Sequence, residues 1–284
     1  MSNQTKLLKN ELQTVRVVEE LTEVFQNTAS IKIRRIRKQV LSSKLFFNDM
    51  WGIYQQLRVE SNISLRNQAS NNRQLLLFIA SPVGLAGPND QRIVAELLAS
   101  YDSDKQDVVV VGSHGAQLLK HQGIVPVRAF ESPDVAYDFS VEPIVELVKT
   151  YDSTIAFYDA YLSLTTQVAS KRQLLLEAQI LTNEERSLVK QGTTEVIAAG
   201  NYIFEPSLEV AIVTLEQAML QTTITQIILE SHLSQLASRF TNMTLSHERA
   251  VGQRKKTFLE FLSSRRSERD EITRQIMVAA KGAH

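Results

Sequence analysis

The chain has 284 residues with 31 basic and 31 acidic side chains, so no global field draws it to nucleic acid or an anionic membrane. It has no cysteine, which excludes disulfides, thiolate zinc sites, iron–sulfur ligation and a cysteine nucleophile. The polar start MSNQTKLLKNE and the lack of any run of about 18 apolar residues predict a cytosolic, soluble or peripherally attached protein.

Residues 1–60 contain one glycine, Gly52, and no proline, which favours a long helix. Ala29, Ile33, Ile36, Val40, Phe47, Met50, Tyr54 and Leu57 step by four and three, with Ser43 in the one gap. That 3.5-residue repeat is a coiled-coil seam. Upstream, Leu8, Leu12, Val15, Val18, Leu21 and Phe25 are expected to continue it less regularly. The cations Lys32, Arg34, Arg35, Arg37 and Lys38 then cover the flanks of the helix; a strand is excluded because alternation breaks at Arg34-Arg35.

All six prolines lie between residues 61 and 206, and this middle reads as alternating strand and helix. RQLLLFIAS (73–81) and DVVVVG (107–112) are buried strands, and IVPVRAF (124–130) is a third. NDQRIVAELLASY (89–101) is an amphipathic helix with Asn89 or Asp90 as its N-cap, and SHGAQLLKHQG is the next helix. The aromatic and threonine-rich stretch 153–176 supplies a strand hairpin. The two strand–glycine–helix junctions, SPVGLAGPND and VVVVGSHGAQLL, have the layout of a phosphate-binding turn, but neither carries G-x-G-x-x-G or a Walker lysine. They read as tight turns requiring positive φ. G-S-H-G is not a nucleophile elbow, and no two of the five histidines have metal-ligand spacing. No catalytic residue, cofactor or metal is therefore assigned. The basic runs lack interleaved aromatics, so no nucleic acid is expected.

Residues 207–284 again carry no proline. Leu233, Leu236, Phe240, Met243, then Phe258, Leu262, and then Ile272, Ile276 and Ala279 predict a second seam, with Arg265 and Arg269 falling on it. Helices of about 55 residues would run about 80 Å, too long for a globular core of this size. The two ends should pair antiparallel, with polar flanks and few large apolar residues exposed. The predicted class is α+β: a long antiparallel coiled coil of residues 1–60 and 207–284, with a small, open-sheet, Rossmann-like α/β domain inserted at 61–206.

This layout resembles the gamma subunit of F-type ATP synthases along essentially the whole chain. LTEVFQNTASIKIRRIR is similar to the family's I-T-K-A-M-x-M-V-A-A-x-K-L-R-R at Thr22, Ala29, Lys32, Arg34 and Arg35. SPVGLAGPND follows S-D-R-G-L-C-G-G-F-N at Ser81, Gly84, Leu85 and Gly87, and YIFEP matches Y-x-x-E-P at Tyr202, Glu205 and Pro206. In the last helix Asn242 and Thr244 fit N-A-T, and Ile272, Thr273, Ile276, Gly282 and Ala283 fit the family's tip. The chain departs from the pattern at Glu20, Glu23, Phe25, Pro82-Val83, Leu236 and Glu268-Arg269.

The resemblance implies a non-catalytic rotor shaft, one copy per complex. It would thread a ring of three alpha and three beta subunits and couple ion-driven rotation to ATP synthesis or hydrolysis. It further implies contacts with an epsilon-type subunit and the membrane rotor c-ring, and a peripheral place on the cytoplasmic face of the cell membrane. The subunit-interface residues it implies are Thr22, Phe25, Lys32, Arg34, Arg35, Gly84, Leu85, Gly87, Tyr202, Glu205, Asn242, Thr244, Arg269, Ile272, Thr273 and Ile276. A stand-alone coiled-coil scaffold with an α/β head, a gamma paralogue of a specialised rotary ATPase, and an α/β enzyme are the alternative readings of the same layout.

Overall fold

The computed structural model describes residues 3–61, 71–81, 89–132, 140–174, 205 and 207–281. Gly84, Leu85, Gly87, Tyr202, Pro206, Gly282, Ala283 and the segment 178–200 lie outside them. The elements are α1 (Asn3–Ser61), β1 (Asn71–Ile79), α2 (Asn89–Ser100), β2 (Gln106–Val111), α3 (Ser113–His121), β3 (Arg128–Phe130), α4 (Glu142–Lys149), β4 (Tyr151–Tyr161), β5 (Gln167–Leu174) and α5 (Leu208–Lys281). The two terminal helices have 59 and 74 residues. The chain forms two compact bodies, Lys32–Ser238 and Met1–Ile31 with Arg239–His284.

In the larger body the strands form one sheet in the order β3-β2-β1-β4-β5. β1 is parallel to β2 and β4, β2 is parallel to β3, and β5 closes a hairpin antiparallel to β4. The run LLLFIA is apolar throughout because both faces of β1 are covered. Leu75, Leu77 and Ile79 pack with α4 residues Ile144, Val145 and Val148 and with Leu220, Ile224, Ile227 and Ile228 of α5. Leu76, Phe78 and Ala80 point the other way, against Ile93, Val94 and Leu97 of α2 and Leu119 of α3. The sheet is therefore the middle of three layers. The third strand is shorter than IVPVRAF suggests, because Val125 and Val127 are 84% and 59% exposed and only Arg128–Phe130 pairs. Ile124 is buried against α3 and β2, but with Val125 and Val127 uncovered, burial does not favour extending the ladder through them.

The α1 seam in this body follows the predicted 3.5-residue repeat. Ile33, Ile36, Val40, Met50 and Tyr54 are buried, and Ser43 and Phe47 are half-buried. Met50, Trp51 and Tyr54 pack on Ile212 and Met219 of α5, and the Tyr54 hydroxyl donates to Glu216 Oε1 at 2.7 Å. The helices run antiparallel.

In the smaller body the stripe follows the predicted one at Leu8, Leu12 and Val15 and departs from it beyond Val15. Thr5 and Thr22 are buried and Leu8, Leu12, Val15, Glu19 and Gln26 are half-buried, whereas Val18, Leu21 and Phe25 are exposed. On α5 the seam is Ala250, Thr257, Phe261, Ser264 and Glu268. Phe258 and Leu262 face outward, and Arg265 and Arg269 are exposed rather than in the seam. Arg265 instead lies over the Phe261 ring at 5.9 Å. From Val18 to Phe25 on α1 and from Phe258 to Arg269 on α5 the predicted stripe thus lies one residue, about 100°, from the observed seam. The expectation of few exposed large apolar side chains fails for the same reason: Val17, Val18, Leu21, Val24, Phe25 and Ile31 are all more than 40% exposed.

Candidate functional site

Two features of the chain could carry function. The first is at the carboxyl ends of β1 and β4, where the connection order reverses: β1 leads to β2 and β3 on one side, and β4 returns on the other. Open α/β sheets bind ligands at that crevice. Here the chain's own side chains fill the described part of it. The fully buried Ser81 amide donates towards the Asp90 carboxylate at 3.3 and 3.4 Å, and Asp90 Oδ2 lies 2.7 Å from His114 Nδ1. Asn89 Nδ2 donates to Asp159 Oδ2 at 2.7 Å. The buried Ser234 hydroxyl of α5 faces the same carboxylate, but outside good hydrogen-bonding geometry. Asn89 and Asp90, expected as caps of α2, therefore spend these hydrogen bonds on the sheet and on α3.

Two glycines bring these elements together. Gly112 has φ +111°, and a Cβ there would stand 2.4 Å from the Ala80 carbonyl oxygen. Gly115 lets α3 sit on the sheet, since a Cβ would meet Ala80 Cβ at 2.3 Å and Phe78 Cε1 at 2.8 Å. The positive φ expected at VVVVG is thus present, and its physical use is close helix–strand packing.

Burial pushes the Asp159 carboxyl above the usual aspartate range; the nearby Asp90 charge adds to this, while Ser234, Asn89 and Arg92 oppose it. The folded chain then holds that proton more tightly than the unfolded one. The carboxyl's contribution to stability is full below its unfolded pKa and is lost as pH rises through its folded pKa. Asp159→Asn keeps an oxygen to accept from Asn89 and adds an N–H₂ that can donate to Ser234. The variant is expected to be more stable than the parent at about pH 8, with the gain shrinking towards about pH 4; thermal unfolding at both pH values checks this.

The second feature is the outward surface of the smaller body. Val17, Val18, Leu21, Val24 and Phe25 form a second apolar stripe on α1, beside and beyond the seam. On α5, Leu245, Phe258, Leu259 and Leu262 are exposed, and residues 269–278 are exposed throughout, including Ile272, Ile276, Met277 and Val278. A contiguous exposed apolar stripe of this kind marks a contact surface. In the larger body, Arg34 and Arg35 of α1 are exposed as well.

The residues singled out in the sequence fall in different surroundings. Phe25, Arg34, Arg35, Arg269, Ile272, Thr273, Ile276 and Glu205 are exposed, and Lys32, Asn242 and Thr244 are half-buried. Thr22 is 7% exposed; its hydroxyl donates to backbone carbonyls of its own helix and lies 3.4 Å from His247 Nδ1. Thr244 and Thr273 likewise donate to the carbonyls of Phe240 and Arg269, at 2.9 Å each. The sequence reading missed the Asp90–His114 and Asn89–Asp159 pairs. An aspartate inside the apolar run IAFYDAY was the available signal, because a buried carboxylate needs partners.

A family model described as ATP synthase matches residues 4–284. Similar curated relatives include the ATP synthase gamma chain of Cytophaga hutchinsonii, 25% identical over 98% of this chain and 97% of the relative. That of Flavobacterium johnsoniae is 24% identical, with the same coverage of each chain. Among solved structures, the central stalk and c-ring of the Tetrahymena thermophila mitochondrial ATP synthase contains a chain with TM-score 0.59 and 18% identity, covering 79% of this chain and 98% of that one. A chain of the Euglena gracilis mitochondrial ATP synthase, OSCP/F1/c-ring, has TM-score 0.55 and 14% identity, covering 96% and 95%.

Proposed function

The chain belongs to the ATP synthase gamma-chain family, and from that premise we propose that it is the central rotor shaft of an F-type ATP synthase. In this reading it is a non-catalytic subunit, present once per complex. The observation that carries the reading is the outward apolar stripe of α1 from Val17 to Ile31, on a helix whose other face is already occupied by α5. A helix that is apolar on two faces needs a second partner. A sleeve formed by three alpha and three beta subunits would cover the stripe, and low directional specificity in apolar contacts suits a surface that must turn within its bearing.

The proposed organisation keeps three parts, 1–60, 61–206 and 207–284. The inserted α/β part would stand outside the ring, meeting an epsilon-type subunit and the membrane rotor c-ring. Gly84, Leu85, Gly87, Tyr202 and Glu205 are assigned to that end. Thr22, Phe25, Lys32, Arg34, Arg35, Asn242, Thr244, Arg269, Ile272, Thr273 and Ile276 are assigned to the ring end. The complex would place the chain at the cytoplasmic face of the cell membrane, held there through its partners, since no helix among the described residues is long and apolar enough to cross a membrane.

Arg34 and Arg35 are the charged collar of this model, facing acidic loops of the ring. Reversing both to glutamate should leave helical content and thermal unfolding close to those of the parent, because exposed charges contribute little to folding. ATP synthesis driven by an ion gradient should fall strongly relative to ATP hydrolysis in the same vesicles. Unchanged synthesis with both charges reversed would contradict the collar.

A further inference from the structure

In the smaller body each helix offers two neighbouring stripes; on α1 the one facing the partner is apolar at Leu8, Leu12 and Val15 and the more polar of the two from Glu19 to Gln26. On α1, Glu19, Thr22 and Gln26 occupy the seam while Val18, Leu21 and Phe25 lie one residue away. On α5, Thr257 and Ser264 occupy it while Phe258 and Leu262 face out. Turning both helices by one residue would bury Val18, Leu21, Phe25, Phe258 and Leu262 but expose Leu8, Leu12, Val15 and Phe261, so hydrophobic burial alone does not separate the two seams. Directional contacts can decide between them.

Those contacts centre on Glu19. Its carbonyl oxygen can only accept, so His247 Nδ1, 3.2 Å away, carries the hydrogen and also reaches the Thr22 hydroxyl at 3.4 Å. Its carboxylate Oε2 pairs with Arg254 Nε at 2.6 Å, a contact that is ionic rather than a linear hydrogen bond. Further along, Gln253 Nε2 and Thr257 Oγ1 donate to Glu11 Oε1 at 3.2 and 3.4 Å. Thr5 Oγ1 lies 2.9 Å from Ser264 Oγ and donates to Glu268 Oε2 at 3.3 Å.

We propose that Glu19, Thr22, His247 and Arg254 form a lock that fixes the register and rotation of the two helices, holding the polar stripes together and the apolar stripes outward. Polar groups at seam positions have this role in coiled coils, at some cost in stability. The proposal concerns the packing of the chain on itself and does not depend on the shaft reading.

The chain has no cysteine, so introduced pairs report one contact each. Thr5→Cys with Ser264→Cys reads the observed seam, since the two hydroxyls already touch and a disulfide can span that approach. Val18→Cys with Val251→Cys reads the turned arrangement. Adding Glu19→Ala and His247→Ala should lower the first cross-link several-fold and raise the second in the purified 284-residue chain. An unchanged first cross-link would overturn the lock.

Should that variant lose its helical signal, the decision passes to charge exchange. Glu19→Arg alone should lose the first cross-link, and Glu19→Arg with Arg254→Glu should restore it. Equal yields in the single and exchanged variants would overturn the proposal.

Discussion

Gly112→Ala is expected to destabilise the chain by about 3 kcal/mol or more. Two costs combine. Alanine at φ +111° occupies a region that L-residues rarely adopt, which costs about 1–3 kcal/mol. Its Cβ would also stand 2.4 Å from the oxygen and 2.9 Å from the carbonyl carbon of Ala80. That neighbour is backbone at the end of the central strand and cannot swing away. The Gly112 amide donates to the Phe130 carbonyl at 2.8 Å, and the Ala80 amide to the Val111 carbonyl at 2.8 Å, so relief by shifting the loop would break the end of the β1–β2–β3 ladder. Urea unfolding followed by far-UV circular dichroism checks this. A loss below about 0.5 kcal/mol, the range of a neutral surface change, would mean that the turn relaxes at no cost.

The second large effect concerns assembly rather than folding. Leu21→Asp and Phe25→Asp together should leave unfolding of the isolated chain within about 0.5 kcal/mol of the parent, because both side chains are about half exposed and outside the seam. Incorporation into a complex with alpha- and beta-type subunits should fall at least tenfold, since two carboxylates would have to be desolvated against an apolar sleeve at several kcal/mol each. Size-exclusion chromatography of the mixed subunits, with the isolated variant's melting curve beside it, separates the two effects. If the variant assembles as well as the parent, the stripe is not the contact surface.

How far the sequence told the structure depended on how many demands each residue serves. From Ala29 to Tyr54 the seam was legible because its apolar residues recur every three or four positions, whereas the exposed Ile31, Leu41, Leu45, Phe46 and Ile53 are interrupted by Arg34, Lys38 and Asp49 and form no competing stripe. Leu8, Leu12 and Val15 were legible too, but between Val18 and Gln26 the seam was not, because a second apolar stripe, directed outward, competes with it and is the stronger signal. The same competition displaced the reading of α5 from Thr257, Phe261 and Ser264 to Phe258 and Leu262. β1 and β2 were evident as uninterrupted apolar runs covered on both faces. The polar network was hidden for the opposite reason: Asn89, Asp90 and His114 sit at helix starts, where local capping explains each of them, and only the fold brings them near Asp159. Of the residues singled out through the family pattern, Phe25, Ile272 and Ile276 are exposed, although periodicity places Ile272 and Ile276 on the seam. Thr22, named through the same pattern, is instead buried in the helix pair, its hydroxyl bonded to carbonyls of its own helix.

Recovering the tagged chain from its own cells in mild detergent, with mass analysis of what accompanies it, tests the central claim most directly. The account predicts alpha- and beta-type subunits with this chain in a three-to-three-to-one assembly, together with an epsilon-type subunit and the membrane rotor. Recovery of the chain alone, or with unrelated proteins, would contradict it and show that the family fold had been kept without the rotary role.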